Sequence, residues 1–155
     1  MSDAIGNVRD WWTRASAQKY ENRSQCFVEQ YGNVLVPGTA LHLNGKTTQG
    51  ENIADNGGVK LAFRAYKKYL ERHGREKPIA GFARYSNEQM FFMGYAVANC
   101  ARYTKDALMN KIVTDAHPPS KYRVNVGLAN QPEFAEAFKC RVGTPMNPHK
   151  RCNIW

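Results

Sequence analysis

Glu51-Asn52-Ile53-Ala54-Asp55-Asn56-Gly57-Gly58 opens a long run of helical periodicity, and the reading of the whole chain turns on it. Glu51 and Asp55 are spaced i, i+4, so on a helix they share one face, one turn apart. Gly58, Ala62, Ala65 and Tyr69 continue that face. A solvated helix would normally carry lysine, glutamine and glutamate there. The paired glycines each cost roughly 1 kcal/mol against alanine in a helix interior. They predict that something packs closely on the backbone below the carboxylates. A plainer reading also stands: acidic residues favour the first turn of any helix, where the dipole stabilises them.

The rest of the composition limits the classes. A chain of 155 residues is long enough for one domain with its own core. No apolar run reaches the length of a membrane span, and the opening MSDAIGNVRD has no apolar signal core. Taken by itself this describes a cytosolic chain, or one whose addressing segment lies outside these residues. The net charge of +9 raises nucleic-acid binding. Its basic residues are scattered, however, and Arg64, Lys67, Lys68 and Arg72 fall at helical spacing, as on a solvated face. No nucleic-acid motif accompanies them, so no nucleic-acid partner is expected. Cys26, Cys100, Cys140 and Cys152 allow three full pairings, and none of their spacings suits a zinc ribbon or a redox CxxC. Asn22-Arg23-Ser24 is a glycosylation sequon and, with the cysteines, leans toward an extracellular setting.

Along the chain, Thr13 is a good N-cap for a helix to about Tyr31, closed by Gly32-Asn33. Val34–Val36 reads as a short extended piece before a Pro37-Gly38 turn, and His42–Gly50 as a loop leading into the central helix. The central helix spans about Glu51–Arg72, with His73-Gly74 closing it. After a Gly- and Pro-punctuated connector, Ser86 and Gln89 form a capping box. The helix it opens, Met90 to Val97, is apolar around most of its girth and so is expected to be buried. Thr104 caps a short helix to about Val113. Asp115-Ala116-His117-Pro118-Pro119 cannot be helical, because a residue before proline is pushed to extended geometry. Tyr122–Leu128 reads as extended, and Asn130 as the cap of a last helix. The fold class is mainly α, with no repeat and no domain boundary.

Chemistry therefore gathers at Glu51/Asp55 and at Asp115/His117. An acid two residues before an imidazole can fix its tautomer or support its charged form. A loop histidine on the surface is the plain alternative. His42, His73 and His149 have no such company.

In this order the motifs resemble the neprilysin and endothelin-converting-enzyme family of zinc endopeptidases. DWWT stands before the first helix, SQC is followed by QYG, and HLNG precedes ENIADNGG. FFMGYA with Cys100, DAHPP with Arg123, EFAEAFKC, MNP and a terminal Cys-x-x-Trp follow. The resemblance covers Asn7 to Trp155. It implies the C-terminal portion of a gluzincin-type catalytic domain that cleaves peptides with zinc-activated water. It places the third zinc ligand on Glu51 and the residue orienting a zinc-bound histidine on Asp55. His117 becomes the oxyanion stabiliser with Asp115 as its support, and Arg123 the contact to the substrate carbonyl. It implies pairing of Cys26 with Cys152, while Cys100 and Cys140 would bond to cysteines elsewhere in the parent protein. The parent would be an extracellular or cell-surface ectodomain acting on peptide substrates.

One departure is large. The family's HExxH helix supplies two zinc histidines and the general-base glutamate, and these residues contain no HExxH. A catalytic zinc takes three protein ligands and an open position, which one glutamate cannot supply. The chain is expected to be the C-terminal part of such an enzyme, inactive and without tight zinc binding until joined to the N-terminal portion. The competing expectation is a non-catalytic secreted helical binding module of the same ancestry, its site residues relics.

Overall fold

Thr13 accepts a hydrogen bond from the Ser16 backbone N–H and starts α1 (Arg14–Gly32), the first of six helices among the residues described. The computed structural model describes residues 3–154; Trp155, the end of the terminal motif, lies outside them. α1 buries Ser24, Phe27 and Tyr31, and Asn33 closes it. The chain then doubles back at Pro37-Gly38. Val36 N–H donates to the Leu41 carbonyl and Leu43 N–H to that of Val34, across an isolated antiparallel bridge between Leu35 and His42. The loop next crosses α1 at Gly45, where any Cβ would fall 2.1 Å from the Val28 carbonyl oxygen. Only glycine permits that crossing.

α2 (Gln49–His73) is the spine, with Gly74 at φ +80° ending it. Its buried residues, Asn52, Ile53, Asn56, Gly57, Val59, Phe63 and Leu70, form one inward stripe at helical spacing. Then come α3 (Asn87–Ala98), α4 (Lys105–Thr114), α5 (Ser120–Ala129) and α6 (Pro132–Ala137). α2 packs against α1 and α5, and α6 against α3 and α5. One apolar cluster joins Phe27, Tyr31, Ile53, Ile112 and Tyr122 to the tail residues Cys152 and Ile154. The other joins Val59 and Phe63 to Phe92, Val124 and Leu128, with Phe63 and Phe92 stacked at 4.7 Å. Burying each such side chain stabilises by roughly 1.5–3 kcal/mol. α2 spans both clusters, so its register is set along most of its length.

Cys26 and Cys152 are bonded, with Cα atoms 5.6 Å apart and a sequence separation of 126. In the chain-entropy account a loop that long stabilises by roughly 4–5 kcal/mol. Cys100 is free and exposed, and Cys140 is free and half-buried. No helix among the described residues is long and apolar enough to cross a membrane.

Four expectations need correction. Tyr122–Leu128 is helical within α5, not extended. Its alternation of large residues suggested a strand, but Lys121 and Asn125 are its exposed positions, four apart, as a helix packed on α2 requires. Weak β-branched preference yields to that packing. Asn130 closes α5 rather than opening α6, whose cap is Gln131 ahead of Pro132. α3 buries only Phe92, and Val97 is 74% exposed. Finally, nothing packs on Gly58, which is exposed with open space where a Cβ would stand; of the two glycines only Gly57 is buried.

Candidate active site

The inward stripe of α2 determines where its carboxylates point. With Asn52 and Asn56 buried, Glu51 and Asp55 lie about 100° around the helix from them, at the edge of the core. Glu51 is in the first turn, where the dipole favours an anion. Its side chain is 40% exposed, that of Asp55 only 12%. The two carboxylates of one face thus differ in environment.

α5 brings Arg123 alongside. Its Nε donates to Asp55 Oδ2 at 2.7 Å and its NH2 to Oδ1 at 2.6 Å, a two-pronged pair. The hydrogen bonds it donates to Asp55 raise the guanidinium further above its already high range.

The connection between α4 and α5 carries the imidazole. Pro118 and Pro119 are fully buried and pin the segment. Asp115 accepts from the His117 backbone N–H at 2.7 Å and faces its ring Nδ1 at 3.0 Å. Lys111, one turn earlier on α4, pairs with the other oxygen. These contacts, that of Lys111 first, hold the Asp115 carboxyl well below the usual carboxylate range. His117 Nε2 lies 3.1 Å from Glu51 Oε2. The ring is therefore held between two carboxylates, one on either nitrogen.

Glu51, Asp55, Asp115, His117 and Arg123 are thus brought to one place from α2, the α4–α5 connection and α5. Asn22 is not part of it and lies on the exposed side of α1. A groove of about 940 Å³ along the later half of α2, lined by Leu61, Arg64, Lys68 and Glu88 among others, includes none of the five.

Beneath the carboxylates lies a buried amide network. Gln30 and Asn130 exchange hydrogen bonds at 2.9 and 2.8 Å. Asn130 also donates to Asn56 Oδ1 at 2.9 Å and accepts from the Cys152 backbone N–H at 3.0 Å. Asn56 donates to the Asn52 carbonyl at 2.7 Å and to the Tyr31 hydroxyl at 3.3 Å. Burial pushes the Tyr31 phenol far above its ordinary value. Among the described residues, two buried side-chain polar atoms have no partner, Asn52 Oδ1 and the Tyr95 hydroxyl. Burial, with the Asp55 charge adding to it and Arg123 opposing, pushes the Tyr95 phenol up to about 12.

Sequence reasoning missed Asn52, Asn56, Asn130 and Tyr95. For the first two a signal was available. Amides repeated at i, i+4 on the inward side of a carboxylate pair mark a helix packed through polar contacts.

As for zinc, no group of three or more His, Cys, Asp or Glu side chains among the described residues is disposed to hold a metal. A single carboxylate does not meet the three-ligand need of catalytic zinc. The residues present do not make a zinc site on their own.

The chain is similar to known proteins along nearly its whole length. The model of peptidase family M13 matches residues 1–154. The chain is 54% identical over 154 residues to Neprilysin-1 of Caenorhabditis elegans, covering 99% of this chain and 20% of that protein. It is 44% identical to human Neprilysin over 153 residues, covering 97% and 20%. Among solved structures, the Mycobacterium tuberculosis zinc metalloprotease ZMP1 in complex with an inhibitor superposes with a TM-score of 0.87 at 28% identity, covering 99% of this chain and 24% of that one. The chain spans about a fifth of the length of the curated relatives it matches. With a family model matched along nearly its whole length and neprilysin relatives aligned across the same residues, the chain belongs to peptidase family M13.

Proposed function

We infer that this chain forms the C-terminal part of the catalytic centre of a zinc endopeptidase acting on extracellular peptides. The observation that carries the reading is the meeting of Glu51, Asp115 and His117, with Asp55 and Arg123 paired on the next turn of the same helix. When bound, zinc would supply Lewis-acid chemistry and an activated water. Within that frame Glu51 is one metal ligand, and the others come from an HExxH helix outside these residues.

The remaining roles follow from the contacts of each side chain. Asp115 accepts a hydrogen bond from His117 Nδ1–H, which fixes the tautomer and orients the ring. Nε2 lies 3.1 Å from Glu51 Oε2 here; with Glu51 engaged as a metal ligand, Nε2–H would turn to the cleft and stabilise the negative charge developing on the scissile carbonyl oxygen. Asp55 keeps lone pairs beyond those engaged by Arg123, so it accepts from a neighbouring imidazole while Arg123 donates to a substrate carbonyl. Alone, the chain binds zinc weakly and cleaves nothing, because its donor set is incomplete.

The test uses the longer protein in which an HExxH helix precedes Trp11. Glu51→Ala should abolish zinc retention. His117→Ala should keep the zinc and lower turnover by about 10²–10³-fold, the usual loss for one oxyanion donor. Zinc content unchanged in the first variant, or turnover unchanged in the second, removes that residue's role. Peptidase activity from the isolated 155 residues would refute the division of the site.

A further inference from the structure

We propose that Asn22 carries an N-linked glycan on the outer face of α1. Asn22-Arg23-Ser24 is the only Asn-x-Ser/Thr tripeptide in the sequence. Its placement on the helix suits the modification. Asn22 is nine residues from Tyr31, which is 0% exposed, and so lies about 180° around α1 from the side chain that faces α2. Gln18, Asn22, Gln25 and Glu29 form an exposed polar stripe there. Of these, Gln25 and Glu29 bond to each other at 3.3 Å. Asn22 sits in line with them and is itself exposed.

A second, independent observation is the Cys26–Cys152 disulfide one turn further along the same helix. Bonds of this kind form in the oxidising compartments where the glycan donor is also found. In the reaction the Asn22 amide nitrogen attacks the anomeric carbon of a lipid-linked oligosaccharide diphosphate. The N-glycosidic bond forms, the carbon–oxygen bond to the diphosphate breaks, and the amide proton passes to base as the lipid diphosphate departs.

The fold also sets the timing. Ser24 is 2% exposed, and its hydroxyl donates to the Glu21 carbonyl at 3.0 Å. Once α1 has closed, the hydroxyl that completes the sequon is sealed inside the helix interface. The sugar must therefore be added to the nascent chain. Because Asn22 points away from α2, the glycan leaves the Glu51 side of the molecule open.

The experiment expresses the natural full-length protein in secretory eukaryotic cells and maps Asn22 by peptide mass spectrometry after enzymatic release of N-glycans, which leaves aspartate at an occupied site. Conversion at Asn22 in most molecules is the expected result, lost completely in Asn22→Gln and Ser24→Ala and kept in Ser24→Thr. Unconverted asparagine in the secreted protein, or a protein retained in the cytosol, overturns the proposal. So does glycosylation of purified, folded protein by added enzyme and donor, which would refute the timing. None of these readings depends on zinc or peptidase activity, so failure here and failure of the proposed function are distinguishable.

Discussion

Arg123 grips both oxygens of Asp55 across 68 residues of sequence, and that pair fixes α5 to the carboxylate face of α2. With Asp55 only 12% exposed, removing one partner leaves a poorly solvated charge behind. Arg123→Ala should destabilise the chain by about 2–4 kcal/mol, and Asp55→Asn by somewhat less. The double variant should lose less than the sum, with a coupling of about 1–3 kcal/mol in a urea-denaturation cycle. Strict additivity would mean that the pair does not hold the helices together. Arg123→Lys should not rescue, because an ammonium cannot reproduce the fork.

The amide network yields a sharper expectation. Asn56 is bonded to Asn130, Tyr31 and the Asn52 backbone. Asn56→Ala strands several buried groups at about 1–3 kcal/mol for each that finds no water. Tyr31→Phe removes one weak bond at 3.3 Å and should cost only about 1 kcal/mol. Equal losses in the two variants, measured by urea midpoint, would show that the network's central member is not Asn56.

Much of this was legible before any coordinates, for reasons particular residues make plain. Thr13, Ser86 with Gln89, and Thr104 each cap as their types require, because capping is a local matter of one side chain and the next turn. α5 was misread because Tyr122, Val124, Val126 and Leu128 alternate, and only contact with α2 and the buried Pro118-Pro119 selects helix. Asn130 was misread because an asparagine ahead of Gln-Pro looks like a cap, while its side chain is claimed by partners 74 and 100 residues away. The five residues of the candidate site were picked out through family motifs. Their spacing alone gave Glu51 with Asp55 and Asp115 with His117, and nothing that joined the two pairs.

Acid should reveal Glu88. Its own backbone N–H lowers the carboxyl most; burial opposes this, and Lys67 at 3.0 Å adds to it, bringing the group from 4.5 to about 2. A group whose folded value is depressed contributes fully above its unfolded value and loses that contribution as the pH falls. The Glu88 share of stability is thus present above about 4.5 and vanishes toward about 2. Asp115, held down by Lys111 and His117, acts in the same direction. Glu88→Gln should flatten the acid limb of a stability-against-pH profile and leave its neutral part lower. An unchanged acid limb would remove the assignment.

The Tyr95 hydroxyl provides the last test, because it is buried beside a charged pair and bonded to nothing. A phenol in that condition has lost its hydration without replacement, a penalty of about 1–3 kcal/mol. Tyr95→Phe keeps the ring, which packs on the cluster of Val59, Phe63 and Phe92, and deletes only the unsatisfied atom. The variant should be as stable as the parent or more stable, by up to about 1 kcal/mol, against the usual direction of core substitutions. The contrast is Phe92→Ala, which empties a fully buried position stacked on Phe63 and should cost about 3–5 kcal/mol. A Tyr95→Phe variant destabilised by more than about 1 kcal/mol would show that the hydroxyl has a hydrogen-bond partner in solution, with the Asp55 carboxylate the acceptor to examine first.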